Sequence, residues 1–231
     1  EKAKKNNQDY AGVSLYYALS DDAGESFHPN KKLVDHSCEC CRIALDNDSQ
    51  GKVVALWRHV YPVNMRDHAI AYVNPEKPTI EGMPVRASDD GWQIDGCPHH
   101  GPDLSIDDKD RAHLAWFTQG KKHKGLMYGR FDFNEGETRL LKSIDDSPSA
   151  SRPQVQVIGD KVYLMWKKFN GKTMDLLISV SSNEGQSWSD VSSIASTENG
   201  SDHPDWVIFG QQLFASWHTQ SEGLRLIPVI K

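Results

Sequence analysis

The chain has 231 residues, of which 38% are hydrophobic and 25% are charged, and its formal net charge is −6. This length accommodates one substantial hydrophobic core, and single all-β domains often reach this size. The acidic balance, with no basic stripe, argues against a nucleic-acid partner. No apolar run approaches the roughly 18 residues of a membrane-spanning helix. Helix signals are almost absent, so we predict a mostly β protein.

The first predicted element is a polar hairpin turn at residues 20–27, SDDAGESF. Its pattern, Ser-x-Asp-x-Gly-x-x-Phe, recurs at residues 181–188 as SSNEGQSW, with Asn in place of Asp. In such a turn the Asp or Asn side chain bonds back onto the backbone. The glycine supplies a positive φ, and the aromatic ring folds beneath the turn. Two further segments, SDDGW from Ser88 and DFNEGE from Asp132, resemble degraded copies.

Strands that end on tryptophan repeat along the rest of the chain. KVVALW, RAHLAW, KVYLMW and QLFASW end on Trp57, Trp116, Trp166 and Trp217, at intervals of 59, 50 and 51 residues. Each is preceded, across a polar turn, by a short apolar strand, and each is followed by a third strand. Three or four antiparallel strands at a period near 50 residues are the unit of a β-propeller blade.

The two complete turns resemble the Asp-box, or BNR repeat, of sialidase-like propellers, where the box joins the third and fourth strands of a blade. The resemblance covers nearly the whole chain and implies an all-β fold, a β-propeller of four-stranded antiparallel blades. We predict a single domain, 1–231, with blades at about 10–36, 37–90, 91–146, 147–198 and 199–231. The first of these blades is incomplete, whereas a ring of about five or six blades is expected. We therefore expect an N-terminal portion or a second chain to complete the ring.

All four cysteines lie directly before predicted inner strands, in DHSCECCR and DGCPHH. In a propeller the innermost strand of each blade begins at one end of the central axis, here called the mouth. The loops between second and third strands open at the same end. We therefore predict that one cluster forms at the mouth from Cys38, Cys40, Cys41, Cys97, His99, His100, His36, Tyr61, Asp103, His203 and His218.

The sequence leaves two roles open for the cysteines. As structural residues they form two disulfides, with Cys97 bridged to one member of the cluster and the other two paired locally. Four cysteines allow three connectivities, among which the sequence does not choose. As metal ligands, thiolates and imidazoles together bind a soft or borderline ion, copper or zinc. The ligands are then Cys38, Cys40, Cys41, Cys97, His99 and His100, with His36 and His203 next in line.

The resemblance also implies a glycosidase site at the mouth. In sialidases three arginines clamp the substrate carboxylate, a Tyr–Glu pair supplies the nucleophile, and an Asp acts as acid and base. The forked guanidinium group suits a carboxylate. Arg42, Arg66 and Arg152 are candidates for this clamp, Asp67 directly follows Arg66, and Tyr61 is near in sequence. The family's Phe/Tyr-Arg-Ile-Pro motif does not occur here, and no Tyr–Glu pair can be assigned.

The preferred function is that of an exported propeller, periplasmic or secreted, because clustered cysteines fit an oxidising compartment. It binds a ligand or a metal ion, with copper favoured over zinc, through the Cys/His/Arg cluster at the mouth. The first alternative is a glycoside hydrolase, exo-sialidase-like, that acts on an acidic sugar. The second is a non-catalytic interaction module with every cysteine in a disulfide. The expected partners are a small molecule, a glycan or a metal ion, with no nucleic acid and no membrane span.

Overall fold

The computed structural model describes residues 11–73 and 84–229. Within these ranges the chain forms 17 β-strands and one three-residue 3-10 turn, Pro62–Asn64. Nothing helical in the described ranges has the length and apolar character needed to cross a membrane. The predicted all-β class is confirmed.

The strands form five antiparallel sheets, each built from consecutive strands of the chain. Sheet 1 contains β1 (Val13–Tyr17) and β2 (Lys31–Ser37). Sheet 2 contains β3 (Ala44–Asn47), β4 (Val53–Arg58), β5 (His68–Val73) and β6 (Val85–Arg86). Sheet 3 contains β7 (Asp103–Ile106), β8 (Ala112–Gln119), β9 (Lys124–Asp132) and β10 (Glu137–Asp145). Sheet 4 contains β11 (Ala150–Ile158), β12 (Lys161–Phe169), β13 (Met174–Ser181) and β14 (Ser192–Thr197). Sheet 5 contains β15 (Asp205–Phe209), β16 (Gln212–Thr219) and β17 (Gly223–Pro228).

Each tryptophan of the repeat lies in the second strand of sheets 2 to 5 and is buried. Trp116 packs in one cluster with Leu56 and Ile70 of sheet 2, and Trp166 packs in another with Phe117 of sheet 3. Rings of this kind each bury roughly 150–250 Å² of surface. The core is thus divided into layers between neighbouring sheets. This is the packing of propeller blades, and the predicted four-stranded antiparallel blade is confirmed.

The inner strands lie side by side around a common axis, since β3 contacts β7, β7 contacts β11, and β11 contacts β15. Carboxylates reinforce two of these junctions. Asp46 Oδ2 accepts the backbone N–H of Ile106 at 2.7 Å, and Asp103 Oδ2 accepts that of Val155 at 2.7 Å. These bonds join the inner edge of one sheet to that of the next, and within residues 11–73 and 84–229 no β-ladder joins these inner strands.

The first Asp-box joins β1 to β2 and has the predicted hydrogen bonds. Ser20 Oγ accepts the backbone N–H of Gly24 at 2.8 Å, and Asp22 Oδ1 accepts that of Ser26 at 2.9 Å. Gly24 has a φ of +92°, which glycine adopts without strain. The aromatic residue of this box, Phe27, remains 65% exposed.

The second Asp-box joins β13 to β14 and repeats the geometry of the first. Ser181 Oγ accepts the N–H of Gly185 at 2.8 Å, and Asn183 Oδ1 accepts that of Ser187 at 2.9 Å. Here the aromatic residue Trp188 does pack beneath the turn, in the core layer between sheets 3 and 4. The box therefore also contributes to the contact between two blades.

The prediction is wrong for one of the two degraded copies of the box. DFNEGE does join β9 to β10, where Asp132 Oδ1 accepts the N–H of Asn134 at 2.8 Å. SDDGW follows β6, the fourth strand of sheet 2, so Ser88 does not begin a turn between third and fourth strands. In this segment Asp90 Oδ2 instead accepts the indole N–H of Trp116 at 2.9 Å.

Strand direction assigns every connection to one end of the ring. Because neighbouring strands are antiparallel, the Asp-boxes and the turns between first and second strands lie at one end. The loops between second and third strands, and the segments that lead from one sheet to the next, lie at the mouth. Residues 38–43 and 87–102, which hold the cysteines, are two of these leading segments.

Candidate functional site at the mouth

The two cysteine segments meet at the mouth. Cys40 and Cys97 form a disulfide, with Cα atoms 6.3 Å apart and a sequence separation of 57 residues. The bridge joins the segment before β3 to the segment before β7. In the chain-entropy model, closing a loop of this length stabilises the fold by about 4 kcal/mol. The predicted bridge from Cys97 into the cluster is confirmed.

The remaining two cysteines are free thiols, Cys38 buried and Cys41 half-buried. Cys38 Sγ lies 3.6 Å from both Cys40 Sγ and Cys41 Sγ, and the latter two are 3.9 Å apart. The expected second, local disulfide is therefore wrong, and so is the interaction module with every cysteine bridged. A hydrogen-bonded thiol pair takes its place, and Arg66 Nη1 donates to Cys38 Sγ at 3.2 Å.

The pKa values of the Cys38 and Cys41 thiols shift in opposite directions. The hydrogen bond from Cys41, followed by the backbone N–H of Cys40 and the charge of Arg66, lowers the pKa of Cys38 to about 5 despite its burial. The same bond to Cys38, together with burial, raises the pKa of Cys41. Near neutral pH the pair is therefore one thiolate, Cys38, with Cys41 as its S–H donor.

A second buried guanidinium, that of Arg58, lies behind the thiols. It donates to the carbonyl oxygens of His100 (3.2 and 3.1 Å), Arg66 (2.6 Å) and Phe117 (2.8 Å). Its carbon Cζ lies 4.6 Å above the ring of Trp92. Sequence reasoning missed this residue. The available signal was an arginine directly after a tryptophan in an otherwise apolar strand.

Arg152 of sheet 4 reaches the segment of the disulfide and donates to the carbonyl oxygen of His99. Both residues have a φ of +55°, a left-handed backbone that is strained outside glycine and is often found at functional sites. A ring nitrogen of His99 and the sulfurs of Cys40 and Cys97 all lie within 4.8 Å of one another. Three sheets thus contribute to one surface.

Two further histidines of the predicted cluster are neutral at physiological pH. His100 stacks on Phe117 with ring centroids 4.3 Å apart, and burial, then the charge of Arg152, lowers its pKa to about 4. Its Nδ1 is buried and has no hydrogen-bond partner among the described residues. Burial, then Arg152, also lowers the pKa of His203. Both imidazoles therefore present lone pairs.

The mouth is cationic although the whole chain is acidic. Arg42 is exposed, and burial followed by the charge of Arg42 lowers the pKa of Arg152. Lys167 Nζ donates to the carbonyl oxygens of Ser201 and Asp202 at 3.0 Å each. Burial, then Arg152, lowers the pKa of Lys167 to about 8.

The predicted arginine clamp is not assembled on an open surface. Arg66 is buried, and its Nε and Nη2 donate to Asn64 Oδ1 at 3.2 and 3.1 Å. Asp67 is fully buried, ion-pairs with Arg86, and accepts the backbone N–H of Trp92 at 3.3 Å. Of the four residues predicted for a glycosidase, only Arg42 and Arg152 are accessible, the first exposed and the second half-buried.

Two more predicted mouth residues have partners other than the thiols. His36, with a φ of +66°, has its Nδ1 2.6 Å from the carbonyl oxygen of Ala11. Its ring centroid is 6.1 Å from that of His59. Tyr61 stacks under the guanidinium of Arg86, 4.7 Å from Cζ to the ring centroid.

The last two predicted mouth residues have other contacts. Asp103 bonds to the backbone of β11, and burial, followed by the charge of Asp205, raises its pKa to about 7. His218 is exposed, and its carbonyl oxygen accepts the N–H of Asp202 at 2.9 Å. Neither residue belongs to the sulfur-containing groups in which potential ligand atoms converge.

No protein-family model and no curated protein matches this chain. Solved structures match its fold. An exo-1,5-alpha-L-arabinanase from a bovine ruminal metagenomic library is 17% identical with a TM-score of 0.51, over 94% of this chain and 86% of that one. A GH43 beta-1,3-galactosidase is 12% identical with a TM-score of 0.53, over 94% and 50%. A PL25 ulvan lyase is 12% identical with a TM-score of 0.56, over 93% and 59%.

These neighbours are β-propellers, so the comparison supports the fold described above. At such low identity the likeness shows the fold alone, because one fold hosts many chemistries. The chain spans about half the length of the galactosidase and about three fifths of that of the lyase. The finer resemblance to sialidase-like propellers stays a prediction.

Proposed function

We propose that the mouth of this propeller binds a soft metal ion, copper(I), through the sulfurs of Cys38 and Cys41. The spacing of these two atoms carries the proposal. Two unbonded cysteine sulfurs in contact could hold one soft ion between them, and thiolates are ligands that copper(I) prefers. The sulfurs of Cys38 and Cys41 are 3.6 Å apart without a bond between them.

The charges around the thiols favour copper over zinc. Two thiolates and one copper(I) ion keep one net negative charge beside the buried guanidinium groups of Arg58 and Arg66, whereas two thiolates and one zinc ion keep none. Zinc in a protein normally requires four ligands. Cys38 and Cys41 share their group of converging ligand atoms only with Cys40 among the described residues, and Cys40 is bridged to Cys97.

The Cys40–Cys97 disulfide supports an exported setting, because disulfides persist in oxidising compartments and are rare in the cytosol. It also limits the ligand set. Of the six residues predicted to hold a metal, Cys40 and Cys97 are covalently engaged. The thiols of Cys38 and Cys41 remain, while His99 lies with the bridged cysteines Cys40 and Cys97.

A copper(I) titration of the chain tests this proposal. We expect protein purified without chelator to have two free thiols and to take one copper(I) per chain in competition with a chromophoric chelator. Cys38→Ser/Cys41→Ser should weaken binding at least 100-fold. His28→Ala, which removes an exposed imidazole near the first Asp-box, is the matched control and should bind normally. Equal binding by the double variant, or none by the wild type, would refute the proposal.

A second candidate function is the recognition or hydrolysis of an acidic glycan, including the exo-sialidase-like activity predicted from the sequence. The observation that favours it is the presence of two accessible guanidinium groups at the mouth, exposed Arg42 and half-buried Arg152. A glycan carboxylate suits such groups. The fold neighbours include enzymes named for arabinan, galactoside and ulvan substrates.

Hydrolysis of an aryl sialoside separates the two candidates. A glycosidase should release the aryl group, and Arg152→Ala should reduce the rate at least tenfold while copper(I) binding stays unchanged. Absence of both hydrolysis and measurable binding of acidic oligosaccharides would remove this second candidate. The copper proposal would be unaffected, since it depends on different side chains.

A further inference from the structure

Besides the two free thiols, the mouth contains the Cys40–Cys97 disulfide, which the copper proposal does not use. Cys38 Sγ is 3.6 Å from Cys40 Sγ, which is itself bonded to Cys97. A free thiol in van der Waals contact with a disulfide sulfur is the starting arrangement for thiol–disulfide exchange. Arg66 Nη1, which donates to Cys38 Sγ at 3.2 Å, adds a positive charge that favours the attacking thiolate.

We propose that the mouth is an internal thiol–disulfide exchange centre. The Cys38 thiolate attacks Cys40 Sγ, the Cys38–Cys40 bond forms, and the Cys40–Cys97 bond breaks. The electron pair of the broken bond leaves on Cys97 as a thiolate, which takes a proton from solvent. No external oxidant or reductant is consumed, because one disulfide and two free thiols are present before and after the step.

Cys38 is better suited to the attack than Cys41. The sulfur of Cys41 is farther from Cys40, 3.9 Å against 3.6 Å. A bond between the adjacent residues Cys40 and Cys41 would also be strained. Cys41, whose sulfur lies 3.6 Å from that of Cys38, is therefore not the attacking thiol.

The exchange changes which thiol is exposed. Cys38 is buried, whereas Cys97 is exposed and its neighbour His99 lies on the surface. The step thus converts a buried free thiol into an accessible one and releases the covalent link between the segments before β3 and β7. An external thiol, or a disulfide of another protein, then has access to Cys97.

Alkylation followed by tryptic mapping tests the exchange without any metal. Cys38, Cys40 and Cys41 fall in one tryptic peptide, residues 33–42, and Cys97 falls in another, residues 87–109. The unexchanged protein gives these peptides cross-linked. The exchanged protein gives them separate, with Cys97 alkylated and the 33–42 peptide two hydrogens lighter from its internal bond.

We expect chelator-treated protein at pH 8 to accumulate alkylated Cys97 at least tenfold faster than Cys38→Ser. Cys41→Ser is the matched control, because it removes a neighbouring thiol yet leaves the attacking one, and it should still exchange. Near-ultraviolet circular dichroism verifies that each variant is folded. Equal rates of Cys97 alkylation in the wild type and Cys38→Ser would overturn the proposal.

The exchange does not depend on copper binding, so the two proposals fail separately. They are nevertheless linked through Cys38, which either holds the ion or attacks the disulfide. If both hold, one equivalent of copper(I) should suppress alkylation of Cys97. Loss of copper binding with intact exchange would refute only the copper proposal.

Discussion

At the scale of single residues, the buried guanidinium of Arg58 holds together three segments of the chain at the mouth. Its guanidinium donates to carbonyl oxygens in the loop after β4, in the segment before β7, and in β8. Carbonyl oxygens of irregular segments would otherwise be buried without donors. Burial lowers the pKa of Arg58, and the negative charge of the nearby thiols opposes part of this lowering.

Arg58→Met should therefore be strongly destabilising. It keeps much of the side-chain volume but leaves three carbonyl oxygens without their donor, and we expect a loss of about 3 kcal/mol in the free energy of unfolding. Arg42→Met, at an exposed arginine of the same mouth, should change it by less than about 0.5 kcal/mol. Urea unfolding of both variants provides the measurement. A small effect of Arg58→Met would show that water replaces the guanidinium at these carbonyls.

At the scale of the structural element, the two Asp-boxes offer a matched pair of glycines. Gly24 and Gly185 occupy the same position of the turn, with φ of +92° and +85°. A Cβ on Gly24 meets nothing within 4 Å, whereas a Cβ on Gly185 would lie 2.1 Å from the hydroxyl oxygen of Tyr128 in sheet 3. The two glycines therefore share a backbone conformation and differ in what surrounds them.

Substitution by alanine should separate backbone strain from the contact between blades. Gly24→Ala should cost about 1 kcal/mol of stability, because alanine is strained at positive φ. Gly185→Ala should lose at least about 1 kcal/mol more, since Tyr128 must also move. Thermal unfolding of the two variants provides the comparison. Equal losses would mean that the second box tolerates displacement from sheet 3.

The element scale also shows why SDDGW was misread. A true box places glycine four residues after serine and an aromatic residue three residues later, as in both complete copies. In SDDGW the glycine comes one position early and tryptophan follows it directly. Composition alone could not reveal this, because the turn depends on the spacing between Ser Oγ and the glycine N–H.

At the scale of the whole molecule, Glu184 joins two blades at the end opposite the mouth. It lies in the second Asp-box and ion-pairs with Lys109, with Arg111 at 2.9 Å and with Arg130 at 3.4 Å, all from sheet 3. Hydrogen bonds from Arg111, then from Lys109, lower the pKa of Glu184 to about 2. Its ionised form is thus favoured in the folded chain.

The stabilisation by Glu184 should depend on pH. A carboxyl whose pKa is lowered on folding stabilises the protein above its unfolded pKa, about 4.3, and loses this contribution as pH falls towards 2. Glu184→Gln should reduce stability by about 1 kcal/mol at pH 7 and by less than half as much at pH 3. Glu198→Gln, at an exposed pair with Lys172, should have little effect at either pH. Urea unfolding at the two pH values checks both.

Sequence reasoning recovered the ring but not its interior details. The period of the tryptophan strands predicts blades because each strand must bury its tryptophan against the next sheet. The convergence of Cys40, Cys97 and His99 follows from strand direction alone. Which sulfurs pair does not follow from strand direction, because four cysteines allow three connectivities and the sequence does not distinguish among them. The burial of Arg66 and Asp67 depends on packing between blades, which no local pattern encodes.

The Asp-boxes and the thiols lie at opposite ends of the blades. The boxes join the last two strands of a sheet, whereas the cysteine segments lead from the last strand of one sheet to the first strand of the next. The residues that form the Asp-box turns and the residues that hold the thiols therefore lie in separate stretches of the chain. Residues 38–43 and 87–102 can therefore be substituted without changing either Asp-box turn. The two stretches have to be transplanted as a pair, since each carries one half of the Cys40–Cys97 bridge.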